Sequence, residues 1–191
     1  MNKIFLIRHG QDVDNKNGIL NGRRDKELTK IGRHQAKTVA SKLKNYDIQV
    51  IYTSPSKRTH ETARIIAREL GIKETIVDKS LIERDFGVLT GKPVVDIPKY
   101  ANKILVADGV NYFLDVEGAE NFSVLYVRGK KILEKINRKH KNKNVLIVTH
   151  GDIGKMIQAA FHSWKWEGGL RTPYFKNMGI LELSHKLDIL R

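Results

Sequence analysis

Apolar residues fall along this chain in two rhythms. Unbroken runs of four, Ile4-Phe5-Leu6-Ile7 and Val145-Leu146-Ile147-Val148, read as strands buried on both faces. Residues 50–53 form a third segment of this kind. Ile76-Val77 and Ile180-Leu181-Glu182-Leu183 are shorter candidates, the latter a closing strand after Gly179. Between the runs, apolar positions recur at helical spacing. Ile31, Ala36, Val39, Ala40 and Leu43 mark a helix over 29–43 with Thr29 as N-cap. Ser54-Pro55-Ser56 opens a second helix over about 57–70, which Gly71 ends, and residues 120–139 and 151–161 predict two more. Strands alternating with helices predict an α/β fold with a mostly parallel sheet. From 80 to 118 the periodicity is poor, and Gly87, Gly91, Pro93, Pro98 and Gly109 punctuate it. That stretch reads as irregular, with at most one short helix, and its part over about 91–118 is the candidate substrate lid.

Both strong strand signals end in chemistry. The first runs into Arg8-His9-Gly10, the second into Thr149-His150-Gly151. In an open α/β sheet the carboxyl edge of the strands is where ligands bind. Two strands that each deliver a histidine followed by glycine point to one site built from two imidazoles. The arginine beside His9 points to an anionic substrate.

Composition narrows the function. The length of 191 residues favours one domain over 1–191. Cysteine is absent, which excludes disulfides, thiolate catalysis and thiolate metal sites. Met1-Asn2-Lys3 leads straight into a strand-like run, so a secretory signal and a membrane span are not expected and the cytoplasm is the default location. The net charge of +14 reads first as compositional drift, since lysine far outnumbers arginine, and second as attraction of anionic metabolites. Nucleic acid is disfavoured, because the densest basic run, Arg138-Lys139-His140-Lys141-Asn142-Lys143, carries no interleaved aromatics and falls at a helix end, where cations suit the dipole. The histidines pair in no recognised ligand spacing, so neither metal nor cofactor is expected. His34, His60 and His140 read as exposed.

An ordered set of motifs extends over most of the chain. Arg8-His9-Gly10 with Asn15 is followed by Glu27-Leu28-Thr29-Lys30-Ile31-Gly32 and Gln35-Ala36. Thr53-Ser54-Pro55 comes next, with Arg58-Thr59 and Thr62-Ala63, then Leu81-Ile82-Glu83-Arg84-Asp85-Phe86-Gly87. Gly118-Ala119-Glu120 with Arg128 and Val148-Thr149-His150-Gly151 complete the set. The pattern resembles the histidine phosphatase superfamily, the phosphoglycerate mutase-like group, and within it the short broad-specificity phosphatases. The resemblance implies a three-layer α/β/α domain with helices on both faces of the sheet. It also implies metal-independent phosphoryl transfer through a phosphohistidine.

Physical chemistry gives the matching residues their parts. A neutral imidazole is a competent nucleophile near pH 7, and His9 is the candidate. Arg8 and Arg58 offer always-charged bidentate donors to phosphate oxygens, and Arg58 falls in the first turn of a helix, where an anion is also favoured. His150 is expected to donate to the phosphoryl group, best in its charged form, and Asn15 to add its amide. The resemblance places the general acid at Glu83, with Asp85 as runner-up, and a nearby phosphate with partial burial raises such a carboxyl. Asp12 and Asp14 are weaker candidates for that acid, since a loop aspartate near an anion site repels substrate unless it is turned away. Arg23-Arg24 read as a solvated pair that could reach a distal anion.

The family's mutases carry a longer insertion with a basic cluster after the Glu-Arg-x-x-Gly motif. Here 91–118 is short and holds Lys92, Lys99 and Lys103, but no arginine pair. Tyr100, Tyr112, Phe113 and Leu114 make it more apolar, and a second wall is expected from Trp164, Trp166, Arg171, Tyr174 and Phe175. The expected function is therefore a phosphomonoester hydrolase acting on a small phosphorylated metabolite. Phosphoglycerate mutase-type transfer and a non-catalytic basic binding protein on a phosphatase scaffold are the alternatives.

Overall fold

The computed structural model describes residues 3–183. Its elements run β1 (Lys3–Arg8), α1 (Val13–Lys16), α2 (Lys30–Leu43), β2 (Val50–Thr53), α3 (Lys57–Leu70), β3 (Thr75–Val77) and α4 (Ile97–Tyr100). They continue with β4 (Ile104–Ala107), β5 (Val110–Phe113), α5 (Phe122–Lys139), β6 (Asn144–Thr149), α6 (Gly151–Phe161), α7 (Trp166–Leu170) and β7 (Ile180–Leu183). The main sheet has the order β3-β2-β6-β1-β7. It is parallel except for β7, which runs antiparallel to β1.

The two apolar runs lie side by side at the centre of this sheet, with Ile4 opposite Val145 and Ile7 opposite Val148. Successive strand side chains point to opposite faces. Ile4, Leu6, Val145 and Ile147 therefore pack against Leu125, Ile132 and Ile136 of α5 and Ile153, Met156 and Ile157 of α6. Phe5, Ile7, Leu146 and Val148 pack on the other face against Ala36, Val39 and Ala40 of α2 and Ala63 and Ile66 of α3. Burial on both faces explains why these strands do not alternate apolar with polar. Each such side chain contributes roughly 1.5–3 kcal/mol of transfer free energy.

The helix ends follow local chemistry. Thr29 caps α2 by accepting from the Gly32 amide at 3.0 Å. Gly71 ends α3 in the left-handed region, φ 68°, which a Cβ would disfavour. The third long helix begins at Phe122, two residues later than its apolar pattern suggests. Glu120 instead joins the loop, its amide bonded to the Asp85 carbonyl and its carboxylate to Arg128.

Two expectations are corrected. Residues 80–118 are not simply irregular. They contain short turns of helix and a hairpin, β4–β5, in which Ala107 pairs with Val110 across the turn Asp108-Gly109. Both turn residues have positive φ, 49° and 72°, the conformation that a two-residue hairpin turn requires. This segment has its own small core of Phe86, Leu89, Ile97, Ala101, Phe113 and Val116, separate from the two sheet faces. His140 is buried rather than exposed, because its Nε2 pairs with the Tyr52 hydroxyl at 2.9 Å. Among the described residues no helix is long and apolar enough to cross a membrane.

Candidate active site

Parallel pairing in register brings the carboxyl ends of β1 and β6 together, so His9 and His150 leave the sheet side by side. The His9 amide donates to the Thr149 carbonyl at 3.0 Å, and the two imidazole centroids are 5.2 Å apart. Arg8, His9, Asn15, Arg58 and Glu83 all line one cavity of about 500 Å³ at this edge, with His150 buried behind it.

His9 has a defined tautomer. Its Nδ1 lies 2.8 Å from the Gly10 carbonyl, which can only accept, so Nδ1 carries the proton and Nε2 keeps its lone pair. Burial, with the Arg58 and Arg8 charges beside it, holds the imidazole well below its ordinary pKa. It is neutral at pH 7. Gly10 lets this turn approach α2: a Cβ there would come within 2.5 Å of the Gly32 carbonyl oxygen.

Arg58 comes from the first turn of α3 and is buried. Its Nη1 and Nη2 donate to the carbonyls of Arg24 and Gly22 at 2.5 and 2.8 Å, which fixes the guanidinium plane. Nε then lies 3.2 Å from both His9 Nε2 and His150 Nδ1. His150 Nε2 donates to Ser54 Oγ at 3.0 Å. Burial, then Arg58, His9 and Arg8, keeps the His150 imidazole well below its usual pKa, so it is neutral here and not in the charged form that would serve a phosphoryl group better. A phosphoryl dianion would oppose the coulombic part of that shift.

Arg8 approaches from β1. Its Nη1 donates to the Tyr174 hydroxyl and to the Phe175 carbonyl, the latter at 3.1 Å. Its Nε is buried without a hydrogen-bond partner, and the side chain is among those that line the cavity. Asn15 accepts from Asn177 through its Oδ1 at 3.1 Å, leaving its NH₂ as the donor.

Glu83 sits across the N-terminus of α6. Oε1 accepts from the Arg84 and Ile153 amides at 2.9 and 3.2 Å, and Oε2 from the Asp152 amide at 3.3 Å. Burial first, then the neighbouring Asp152 charge, raises its pKa, while these amides and Arg58 work against the rise. Arg128 fixes the backbone that carries Glu83 by donating to the carbonyls of Ser80, Ile82 and Glu83. The runner-up, Asp85, is outside the cavity lining and pairs with Arg23 at 3.1 Å.

Other placements differ from expectation. Asp12 does not turn away. It is fully buried, caps α1 through the Asn15 amide, accepts from Asn21 and lies 3.5 Å from Arg58 Nε. Arg24 pairs with Asp14 at 2.8 Å and Arg23 with Asp85 and Glu120; both side chains stay partly open to solvent, as read, and neither lines the cavity. Tyr112, Phe113, Tyr174 and Phe175 line the cavity, whereas Tyr100, Leu114, Trp164, Trp166 and Arg171 do not. Trp166 stacks on Phe122 at 5.7 Å instead.

Among the cavity residues without a role in the sequence reading are Arg84, Asp108 and Lys155. Arg84 is buried among Phe86, Phe113 and Phe122 and pairs with Asp152 at 2.7 Å. Its place inside the Glu-Arg-x-x-Gly motif was the available signal. Asp108 had one too, the Asp-Gly turn between apolar runs. Lys155 had none, since a lysine on a helix normally faces water. Among the described residues no group of three or more His, Cys, Asp or Glu is arranged to hold a metal.

Two buried imidazoles, two arginines and a raised carboxyl at the carboxyl edge of a parallel sheet form the kind of site found in histidine-dependent phosphoryl-transfer enzymes. The family model for the histidine phosphatase superfamily (branch 1) matches residues 4–188, and the chain belongs to that family. Phosphoserine phosphatase 1 of Hydrogenobacter thermophilus is 33% identical over 78% of this chain and 71% of its own. Phosphoglycerate mutase-like protein 4 of Arabidopsis thaliana is 36% identical over 79% and 67%. The crystal structure of phosphoserine phosphatase from Entamoeba histolytica in complex with 3-phosphoglyceric acid superposes with a TM-score of 0.77 at 28% identity, covering 95% of this chain and 90% of that one. The chain is accordingly a phosphatase of the phosphoglycerate mutase-like fold.

Proposed function

We propose that this chain hydrolyses a small phosphomonoester through a phosphohistidine on His9. The observation that carries this reading is the His9 tautomer, with Nδ1–H tied to Gly10 and a neutral Nε2 facing Arg58. Nε2 attacks phosphorus while Arg8, Arg58 and Asn15 hold the equatorial oxygens, where charge accumulates, and His150 adds a donor in the form protonated at Nδ1 that the phosphoryl charge favours. The P–O bond to the leaving group breaks, and that oxygen takes the proton of Glu83. Water then attacks phosphorus, the P–N bond breaks, and the Glu83 carboxylate takes the proton from water. Inorganic phosphate and the starting enzyme result.

Hydrolysis is favoured over a mutase cycle by the accounting of cations. Among the cations that line the cavity, Arg84 pairs with Asp152 and Lys155 donates to Thr172 and Pro173 oxygens, whereas Arg8 and Arg58 are the two whose charges act on His9, a set sized for one phosphate. Lys99 pairs with Asp96, and neither it nor Lys103 lines the cavity. The names of the relatives make phosphoserine and 3-phosphoglycerate the first natural compounds to try.

The test is turnover of p-nitrophenyl phosphate in EDTA, with an alkaline quench to trap phosphoenzyme. Hydrolysis with an alkali-stable, acid-labile label on His9 is the expected result. Turnover without any such label would overturn the covalent mechanism. Turnover confined to a 3-phosphoglycerate assay primed with 2,3-bisphosphoglycerate would replace hydrolysis with a mutase.

A further inference from the structure

Lys155 is buried to 2% exposure in the interior of α6. Its ammonium donates to three neutral oxygens: the Thr172 carbonyl at 2.8 Å, Thr172 Oγ1 at 3.0 Å and the Pro173 carbonyl at 3.1 Å. The charge is costly to keep there, and burial lowers its pKa to about 8. It remains protonated at pH 7. A hydrocarbon side chain would fill the same space without that cost, so the anchoring of residues 172–173 is what the ammonium adds.

The residues that follow this anchor hold the phosphate side of the cavity. The Tyr174 hydroxyl and the Phe175 carbonyl both accept from Arg8 Nη1, and the Tyr174 ring lies 5.3 Å below the Arg8 guanidinium. Phe175 packs on Gly154, where a Cβ would come within 2.7 Å of its ring. Asp108, from the hairpin turn, accepts from the Tyr174 amide on the other side. The segment is thus pinned by α6 beneath, by the hairpin above, and by Arg8 at its end.

We propose that Lys155 is a positioning residue for phosphate binding: it fixes residues 172–175 and through them sets the orientation of Arg8, which lines the cavity and keeps an unpartnered Nε. This rests on the reading of Arg8 as a phosphate ligand. The three bonds explain why Lys155 is not itself a second anion subsite, because its donors are already committed to protein oxygens.

The test is a double-mutant cycle read as the Kd for inorganic phosphate by calorimetry at pH 7, with folding checked by circular dichroism. Lys155→Met should weaken binding about tenfold, as expected for loss of a charged hydrogen-bond anchor. Lys155→Arg, which keeps charge and donors, should recover most of it. In an Arg8→Lys background the same Lys155→Met change should cost less than about twofold, since the orienting bonds are already gone. Equal losses in both backgrounds would overturn the proposal while leaving the phosphate site intact. No phosphate binding by the unmodified protein would instead remove the phosphate-site reading, and this inference with it. If Lys155→Met does not fold, Thr172→Val removes one of the three acceptors and carries the same cycle to the same decision.

Discussion

Replacing Glu83 by glutamine isolates the proton-transfer role from the geometry. The amide oxygen of Gln can occupy the Oε1 position and accept from the Arg84 and Ile153 amides at 2.9 and 3.2 Å. Its NH₂ then meets the Asp152 amide, a donor facing a donor, in place of the weakest of the bonds, at 3.3 Å. The scaffold therefore loses little, while the transferable proton is lost completely. General acids contribute about 10²–10⁴-fold, equivalent to roughly 3–5 kcal/mol of barrier. That loss should appear in full with an alkyl phosphate, whose alkoxide leaves poorly. It should shrink at least tenfold with p-nitrophenyl phosphate, whose leaving group needs no proton. The assay is kcat for both substrates in both proteins. Equal losses on the two substrates would refute the general-acid role, as would an unchanged kcat on the alkyl ester. Stability supplies an independent check. Burial and Asp152 raise the Glu83 pKa in the folded chain. A raised acid pKa stabilises the fold below the unfolded value, and that contribution is lost as pH rises through the folded value. Glu83→Gln has no such titration, so its Tm should gain on that of the unmodified protein between about pH 4 and neutrality. A constant Tm difference across that window would contradict the raised pKa.

Other positions give sharp expectations. His9→Ala should lower turnover by about 10⁴-fold or more and abolish the alkali-stable label in a folded protein; retained turnover would exclude His9 as nucleophile. Gly87→Ala should destabilise by about 2–4 kcal/mol in denaturant unfolding, because φ is 56° and a Cβ would sit 1.9 Å from the Glu117 carbonyl oxygen; an unchanged midpoint would show that the 83–87 loop is not locked to 117–119. Asp12→Asn removes a buried negative charge 3.5 Å from Arg58 Nε. Inhibition by inorganic phosphate should tighten roughly 3- to 10-fold, with Asn21 free to turn its unpartnered Oδ1 toward the new amide; weaker inhibition would mean that Asp12 orients Arg58 more than it competes for it.

Much of this molecule is legible in one dimension because its signals are local or repeat at a fixed period. Helices α3 and α6 begin and end where apolar spacing, Ser-Pro and Gly71 place them, since caps and amphipathic faces are properties of a few consecutive residues. The central strands are legible because burial on both faces leaves no room for polar alternation. His9 and His150 are legible as a pair because each closes such a strand. Arg58 and Glu83 were found through motifs, whose spacing is a trace of tertiary structure already selected. The hairpin β4–β5 was readable in principle from Asp108-Gly109, but its strands are short and their pattern weak beside the surrounding glycines and prolines.

What tertiary structure alone decided is the protonation and support of the site. Neutral His150, buried Asp12 beside Arg58, and His140 paired with Tyr52 depend on partners up to 96 positions away in sequence. Lys155 is the extreme case. Helix periodicity says which face it is on, but only the return of residues 172–173 over α6 turns an ordinary lysine into a buried anchor. Local sequence sets which elements form, because their hydrogen bonds and caps close within a few residues. The charge state of a buried group is set by whatever the fold packs around it, and that sum is taken over residues that no short window of sequence contains.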